Sequence, residues 1–177
     1  MTKDKLIAVR DPLGIRPLCL GTLNGGWVVA SETAALDNLG AEFVRELENG
    51  ETLVIDENGI QSKIWSGARS AHAMCVFEQI YFARPDSILN GELAYETRQR
   101  LGAEVFREHP VDADIVVGIP DSSTPHAVGL AAAAKIPYAE AIIRNRYVGR
   151  TFIQPDQRSR EQGVQTKFNP MRGVIEG

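Results

Sequence analysis

The first 65 residues alternate short apolar runs with turn sequences, a pattern typical of β-strands. Asn58-Gly59 separates two apolar runs and predicts a tight hairpin. Residues 32–39 predict a short helix that ends at Gly40, because glycine adopts the left-handed cap conformation without strain. This part of the chain is therefore predicted to be rich in β-structure, with strands within residues 4–9, 16–23, 26–32 and 51–65.

Beyond residue 71 the pattern becomes one of alternating helices and strands. Apolar residues recur at helical spacing over 93–109, and His109-Pro110 ends this predicted helix. An apolar run at 112–120, a helical pattern at 122–135 and a second apolar run at 136–143 then predict a βαβ unit with a parallel sheet. No helical pattern persists over 144–172. A loop of this length is typical of a lid that closes over a bound ligand, and we favour that interpretation.

The composition is that of an ordinary folded protein. Hydrophobic residues make up 44% of the 177 positions and charged residues 24%, which excludes a disordered, collagen-like or coiled-coil chain. No apolar window approaches the roughly 18 residues of a membrane-spanning helix, and the first residues lack the apolar core of a signal peptide. The two cysteines, Cys19 and Cys75, form no zinc-binding spacing. We therefore predict a cytoplasmic protein without membrane association.

Charge is unevenly distributed along the chain. The net charge is −4, but residues 144–172 carry +5, so the rest of the chain carries −9. A basic segment after an acidic body suggests an anionic ligand such as phosphate or pyrophosphate, although a solvated charged loop explains the same residues. The −9 elsewhere would repel a polyanion, so we predict no nucleic-acid partner.

The turn at 118–124 follows a predicted buried strand and opens a predicted helix. Free N–H groups at a helix start bind phosphate readily, the hydroxyls of Ser122, Ser123 and Thr124 add donors, and Asp121 can order a hydrated Mg²⁺. Simple capping of the helix by Ser or Thr explains the same residues, and for this loop taken alone it is the favoured interpretation. Neither a Walker loop nor a dinucleotide fingerprint occurs.

Five segments of the sequence carry a family resemblance, namely residues 9–18, 30–37, 75–87, 119–123 and 145–153. They resemble segments of the amidophosphoribosyltransferases, also called glutamine phosphoribosylpyrophosphate amidotransferases. They occur in the order found in that family and cover nearly the whole chain. Segments related to the first two also occur in asparagine synthetases, whereas the third and fifth are specific to this family.

The resemblance implies an α/β chain with parts of two domains. Residues 1–68 would be the C-terminal part of a class II glutaminase domain, a partial N-terminal-nucleophile αββα sandwich. Residues 69–177 would be the N-terminal part of a type I phosphoribosyltransferase domain, including its flexible loop. The family converts glutamine, phosphoribosylpyrophosphate and water to 5-phosphoribosylamine, glutamate and pyrophosphate, the first step of purine synthesis. Purine nucleotide inhibitors and a homo-oligomer are also expected.

The resemblance also implies roles for individual residues. Asp121, Ser122 and Ser123 match the pyrophosphate-binding loop, and Ser123 stands at the position associated with Mg²⁺. Arg144 stands where the family commonly has a lysine that contacts phosphate or a nucleotide. The flexible loop and the ammonia channel would include Arg144, Tyr147, Arg150 and Ile153.

Several functional elements of the family have no counterpart in this sequence. Cys75 matches the first of four ligands of a 4Fe–4S cluster in iron–sulfur members, but the other three are not present. The nucleophilic cysteine and the Asn-Gly oxyanion element are also missing, so we predict that the 177-residue chain is a fragment with neither glutaminase nor transferase activity. The alternatives are another glutaminase-coupled synthetase, which predicts an ATP-binding loop, and a non-catalytic pyrophosphate-binding remnant.

Overall fold

A computed structural model describes residues 1–65, 73–149 and 156–176. Contacts along the chain divide it into two units, Met1–Tyr95 and Glu96–Gly177. The domain boundary predicted at 68/69 falls outside the described residues, and the division into units comes later in the chain. The assignment of 1–68 and 69–177 to two enzyme domains stays a prediction.

The first unit contains two three-stranded antiparallel sheets, ordered β1-β5-β6 and β3-β2-β4. The predicted strands and the hairpin at Asn58-Gly59 are confirmed, whereas β4 was not predicted. Its sequence, EFVRE, shows no clear alternation, and it forms a strand because it pairs with β2. The strands are β1 (Leu6–Val9), β2 (Cys19–Leu23), β3 (Gly26–Ala30), β4 (Glu42–Glu46), β5 (Glu51–Asp56) and β6 (Gly59–Ile64).

Neighbouring residues of β2 show how this unit is layered. Cys19 packs with Leu36 of helix α1 (Thr33–Leu39), whereas Leu20 packs with Leu53 of β5. Because consecutive residues of a strand point to opposite faces, α1 covers one face of β3-β2-β4 and the sheet β1-β5-β6 covers the other. The predicted end of α1 is confirmed, since Gly40 caps it at φ 69°. This order of layers is that of a partial αββα sandwich.

Buried Glu51 ties the two sheets together. Its carboxylate accepts two bonds from the guanidinium of Arg45 on β4, at 2.8 and 2.6 Å, and one from the hydroxyl of Ser62 on β6, at 2.6 Å. The N–H of Glu48 donates a further bond at 2.6 Å. The Arg45 guanidinium and the other hydrogen bonds outweigh burial and lower the pKa of Glu51 to about 2.

The segment that follows residue 72 is fastened to this layered part by bonds between side chains and backbone. The carboxylate of Glu32 accepts from the Arg84 N–H at 2.8 Å and from the Ser87 hydroxyl at 2.7 Å. The Thr33 hydroxyl oxygen accepts from the Ile88 N–H at 2.8 Å. These contacts place the π-helix Glu78–Phe82 and the short strands β7 (Ile88–Leu89) and β8 (Glu92–Leu93) in the first unit. Such long-range bonds leave no local sequence pattern, so they could not be predicted from the sequence.

The second unit contains the predicted helices and a smaller sheet than expected. Helices α2 (Ala94–Glu108) and α3 (Thr124–Ala134) are confirmed. In the described residues the predicted parallel sheet is reduced to one bridge between Val116 and Tyr138, so that prediction was wrong in extent. Strand β9 (Ile142–Arg144) instead pairs antiparallel with β10 (Phe168–Pro170).

The prediction that 144–172 lacks a helix was wrong. Helix α4 (Gln157–Lys167) occupies part of this segment, and a shorter helix α5 (Arg172–Ile175) follows. The sequence of α4 is polar on every side, so it shows no apolar stripe from which a helix is predicted. The available signal was its cap, since the Asp156 carboxylate accepts from the Ser159 N–H at 2.8 Å.

Two glycines allow the backbones of α2 and α3 to touch. A Cβ added to Gly102 of α2 would overlap the carbonyl oxygen of His126, and one added to Gly129 of α3 would overlap that of Gln99. Carbonyl oxygens held in helices cannot move aside as a flexible side chain does. The contact between α2 and α3 therefore requires glycine at both positions.

We expect Gly102→Ala and Gly129→Ala each to lower the free energy of unfolding by about 2 kcal/mol or more, because the added methyl forces the helices apart. Urea denaturation followed by circular dichroism measures the change. Gly173→Ala is the control, because a Cβ there has nothing within 4 Å and should change the free energy by less than about 0.5 kcal/mol. Equal effects from all three substitutions would contradict this account.

We expect Glu51→Gln to cost about 2 kcal/mol of unfolding free energy at pH 7, because it removes a charged acceptor with four donors. The folded pKa, about 2, lies below the ordinary value of 4.5, so the contribution is complete above pH 4.5 and is lost as the pH falls towards 2. Wild type and variant should therefore converge in acid. Denaturation at several pH values tests this, with Asp86→Asn in the exposed Arg84 ion pair as the control. A constant difference down to pH 2 would contradict the assignment.

Candidate functional site

The loop at 118–123 lies between the bridge residue Val116 and the first turn of α3. Ser123 is the N-cap residue, but its hydroxyl donates to the Ile119 carbonyl oxygen at 2.6 Å. The capping interpretation is therefore wrong for Ser123, whose side chain closes the loop on itself and leaves the helix N–H groups without a side-chain cap from this residue. The peptide bond between Pro120 and Asp121 is cis.

Gly118 lets this loop approach the start of α3. A Cβ at this position would lie 3.2 Å from the Cα of Thr124 and 3.2 Å from the Cβ of Ala127. Both distances are shorter than ordinary van der Waals contact, so any larger residue would press the loop away from the helix. The small residue fixes where the backbone of 118–123 meets the positive end of the helix dipole.

Strand β9 brings a cation to the same loop. Arg144, the last residue of β9, donates from Nη1 to the Asp121 carboxylate at 2.7 Å. Its Nε atom is buried and has no hydrogen-bond partner in the described part of the chain. The structure thus joins the two features that the sequence predicted separately, the anion-binding turn and the basic segment.

A cavity of about 260 Å³ opens between the loop and β9. Two cationic side chains and two carboxylates lie on its wall, together with the first residue of α3 and the close-approach glycine. The residues that carry the argument are Gly118, Asp121, Thr124, Glu140, Arg144 and Arg146. The cavity combines a helix N-terminus, hydroxyl groups and guanidinium groups, which are the donors that bind phosphate in proteins.

The other predicted site residues are placed as follows. Ser122 is exposed on the loop beside the cavity. Tyr147 is fully exposed and does not line the cavity, although its N–H donates to the Asn145 side chain at 3.0 Å. Arg150 and Ile153 lie outside the described residues.

Sequence reasoning missed Glu140 as part of this site. It lines the cavity from the apolar run at 136–143, which was predicted as a strand. A single carboxylate within an apolar run was the available signal, since a charge is seldom placed in a buried strand without a partner or a ligand.

The oxygen donors of the loop fit a magnesium ion. Mg²⁺ is usually held by one or two carboxylates together with substrate phosphates, and Asp121 supplies one carboxylate beside the hydroxyls of Ser123 and Thr124. The Asp121 carboxylate is paired with Arg144, so a metal ion would have to share it or displace the cation.

An iron–sulfur cluster takes four cysteine thiolates and this sequence contains two, so the role of Cys75 as one of four ligands stays a prediction. Cys75 is half-buried, and its N–H donates to the Ile15 carbonyl at 2.9 Å. Cys19 is buried, its thiol donates to the Ala30 carbonyl oxygen, and burial raises its pKa to about 11. In the described ranges no three or more His, Cys, Asp or Glu side chains are grouped to hold a metal ion.

The motif segments meet in space within each unit. Arg16 pairs with Glu78 and lies over the ring of Phe82, with its guanidinium carbon 4.9 Å from the ring centroid. Glu32 holds Arg84 and Ser87, so residues 9–18 and 30–37 both contact 75–87. In the second unit, Asp121 of 119–123 pairs with Arg144, immediately before 145–153.

Comparison with known proteins identifies the relatives of the chain. It is 50% identical over 177 residues to amidophosphoribosyltransferase of Mycobacterium tuberculosis (strain H37Rv), covering 100% of this chain and 33% of that protein. It is 48% identical over 177 residues to the Bacillus subtilis enzyme of the same name, covering 37% of it. The chain is homologous to amidophosphoribosyltransferases. No family model matches it.

Solved structures of other proteins share the fold. The glutamine phosphoribosylpyrophosphate amidotransferase of B. subtilis, complexed with ADP and GMP, matches with a TM-score of 0.88 and 47% identity. A structure described as the allosteric regulatory enzyme of purine biosynthesis matches with a TM-score of 0.87 and 46% identity. Both matches cover 100% of this chain but only 39% and 38% of those chains. The predicted resemblance and the α/β fold are confirmed, and the chain spans about a third of the length of its curated relatives.

No helix in the described part of the chain combines the length and apolar character needed to cross a membrane.

Proposed function

We propose that this chain is the pyrophosphate-binding portion of an amidophosphoribosyltransferase. In this proposal the loop at 118–123 and Arg144 bind the pyrophosphate group of phosphoribosylpyrophosphate, the substrate that ammonia from glutamine converts to 5-phosphoribosylamine. The observation that carries the proposal is the Arg144–Asp121 pair at 2.7 Å, on the wall of a cavity that also opens onto the start of α3. The 50% identity to amidophosphoribosyltransferases over the whole chain supports it.

Each element of the cavity has a role in binding. The start of α3 offers the positive end of a helix dipole to a phosphate group. Pro125 has no N–H, and the Thr124 N–H already donates to the Asp121 carbonyl oxygen at 3.4 Å, so the dipole and the side chains supply the attraction. Arg144 and Arg146 add positive charge, and Thr124 adds a hydroxyl donor. The same donors stabilise negative charge on pyrophosphate as it leaves the ribose, which lowers the barrier to displacement by ammonia.

Mg²⁺ is the proposed partner of the anion. When bound, it would neutralise charge on the pyrophosphate oxygens, and Asp121 and Ser123 are the residues that would hold it. Purine nucleotides are the proposed regulators, because the B. subtilis structural neighbour is complexed with ADP and GMP.

We further propose that the 177-residue polypeptide alone binds pyrophosphate without turnover. Of its two thiols, Cys19 is buried with a pKa raised to about 11, and the backbone N–H of Cys75 donates to the Ile15 carbonyl oxygen within the fold. Neither is an activated N-terminal nucleophile for glutamine. Phosphoribosylamine formed by the purified chain above a buffer control would contradict this.

Isothermal titration calorimetry with inorganic pyrophosphate and Mg²⁺ tests the binding site. We expect Arg144→Gln to weaken binding about tenfold, because a charge-assisted hydrogen bond is lost. Arg172→Gln is the matched control, since it removes the same charge from α5 at a position that does not line the cavity. Absence of pyrophosphate binding by the unmodified chain, or equal weakening by the two variants, would overturn the proposed function.

A further inference from the structure

We propose that Asp121 is an internal counter-ion that occupies Arg144 until an anion displaces it. The pyrophosphate site would then be partly inhibited by its own loop, and the substrate anion would compete with a carboxylate for one guanidinium. This inference rests on the proposed function and adds to it a property of the free site.

The contact itself is the first argument. The Asp121 carboxylate accepts from Nη1 of Arg144 at 2.7 Å, at the wall of the cavity that the anion would enter. A carboxylate and a phosphate present oxygen atoms to a guanidinium in similar ways, so both bind the same nitrogen atoms. The two cannot occupy Nη1 of Arg144 fully at the same time.

The guanidinium is only partly used by the carboxylate. Nε of Arg144 is buried and lacks a hydrogen-bond partner in the ranges that the structure describes. A guanidinium presents its N–H groups in a fixed fork that matches two oxygens of one phosphate group. Because Nε is buried, an anion that approaches from the cavity would use the fork of Nη1 and Nη2, and it would then compete with Asp121 for Nη1.

The exposure of the pair indicates that it is weak enough to be displaced. The Arg144 side chain is 34% exposed and that of Asp121 is 62% exposed. Ion pairs with this much solvent contact contribute roughly 0 to 1 kcal/mol, whereas pyrophosphate carries several charges and also meets the N-terminus of α3. In the free site, the ion pair with Asp121 thus holds Arg144 in place, and it is weak enough for an anion to displace it.

Arginine suits the role of a paired cation at position 144. Its guanidinium is planar and less strongly hydrated than an ammonium group, so it forms directed pairs with carboxylates more readily.

The decisive measurement is the affinity for inorganic pyrophosphate without Mg²⁺, by calorimetry of the 177-residue chain in the presence of a chelator. Asp121→Asn should bind pyrophosphate about fivefold more tightly than wild type, which corresponds to release of about 1 kcal/mol of pairing. Circular dichroism before each titration confirms that the variant is folded, as expected for an exposed side chain.

Glu140→Gln separates this effect from a general change in charge. Glu140 lines the same cavity, and the described structure shows no bond between its carboxylate and Arg144. Glu140→Gln removes one negative charge without releasing the Arg144 guanidinium. We therefore expect a clearly smaller gain in affinity for pyrophosphate than with Asp121→Asn. Equal gains would show that charge alone is responsible and would overturn the inference.

A double substitution tests whether the gain passes through Arg144. In an Arg144→Gln background there is no guanidinium to release, so Asp121→Asn should no longer tighten binding beyond the effect of Glu140→Gln in that background. A full fivefold gain there would overturn the inference.

The outcomes also distinguish this inference from the proposed function. In one outcome, pyrophosphate binds only with Mg²⁺, and Asp121→Asn does not raise the affinity without Mg²⁺. This outcome retains the proposed function and overturns the counter-ion role of Asp121. Absence of pyrophosphate binding under all conditions overturns both. With Mg²⁺ present we expect the advantage of Asp121→Asn to shrink or reverse, because Asp121 is then needed for the metal ion.

Discussion

The contact between the backbones of α2 and α3 is the constraint on which the candidate site depends. Gly102 and Gly129 allow the two helices to touch, and no side chain fits between them. This contact fixes the position of α3, and therefore of its N-terminus, within the second unit. Gly118 then brings the loop against the first turn of the helix at the same close range. Three glycines thus determine where the loop meets the positive end of the helix dipole.

Charge acts on this fixed backbone. The cavity wall carries two cations and two carboxylates, so its charges balance. In the proposed pyrophosphate site, recognition would therefore depend on how the charges are arranged, since Arg144 at the end of β9 is paired with Asp121. An anion that displaces Asp121 would exchange one ion pair for another, which favours groups with several charges such as pyrophosphate.

The first unit uses buried charge differently. Glu51 is almost fully buried, and its donors include Arg45 from one sheet and Ser62 from the other, so the carboxylate links the two layers. Glu32 performs a similar task on the surface, where it binds backbone and hydroxyl groups of the segment around Arg84. Glu32, Arg84 and Ser87 lie in the motif segments that mark the family, and their hydrogen bonds also stabilise this unit.

The sequence by itself determined the local elements and the family. Local elements depend on residues that are close in the sequence, so they can be predicted from it. These elements are the alternation of the strands, the Asn58-Gly59 turn, the glycine that ends α1 and the helical spacing of α2. Helix α4 was missed because it has no apolar stripe, and β4 because only its pairing with β2 makes it a strand. Tertiary structure alone decided that Arg144 meets Asp121. Their separation in sequence carries no periodic signal, and only the turn of the chain through α3 brings the two charges within hydrogen-bond distance.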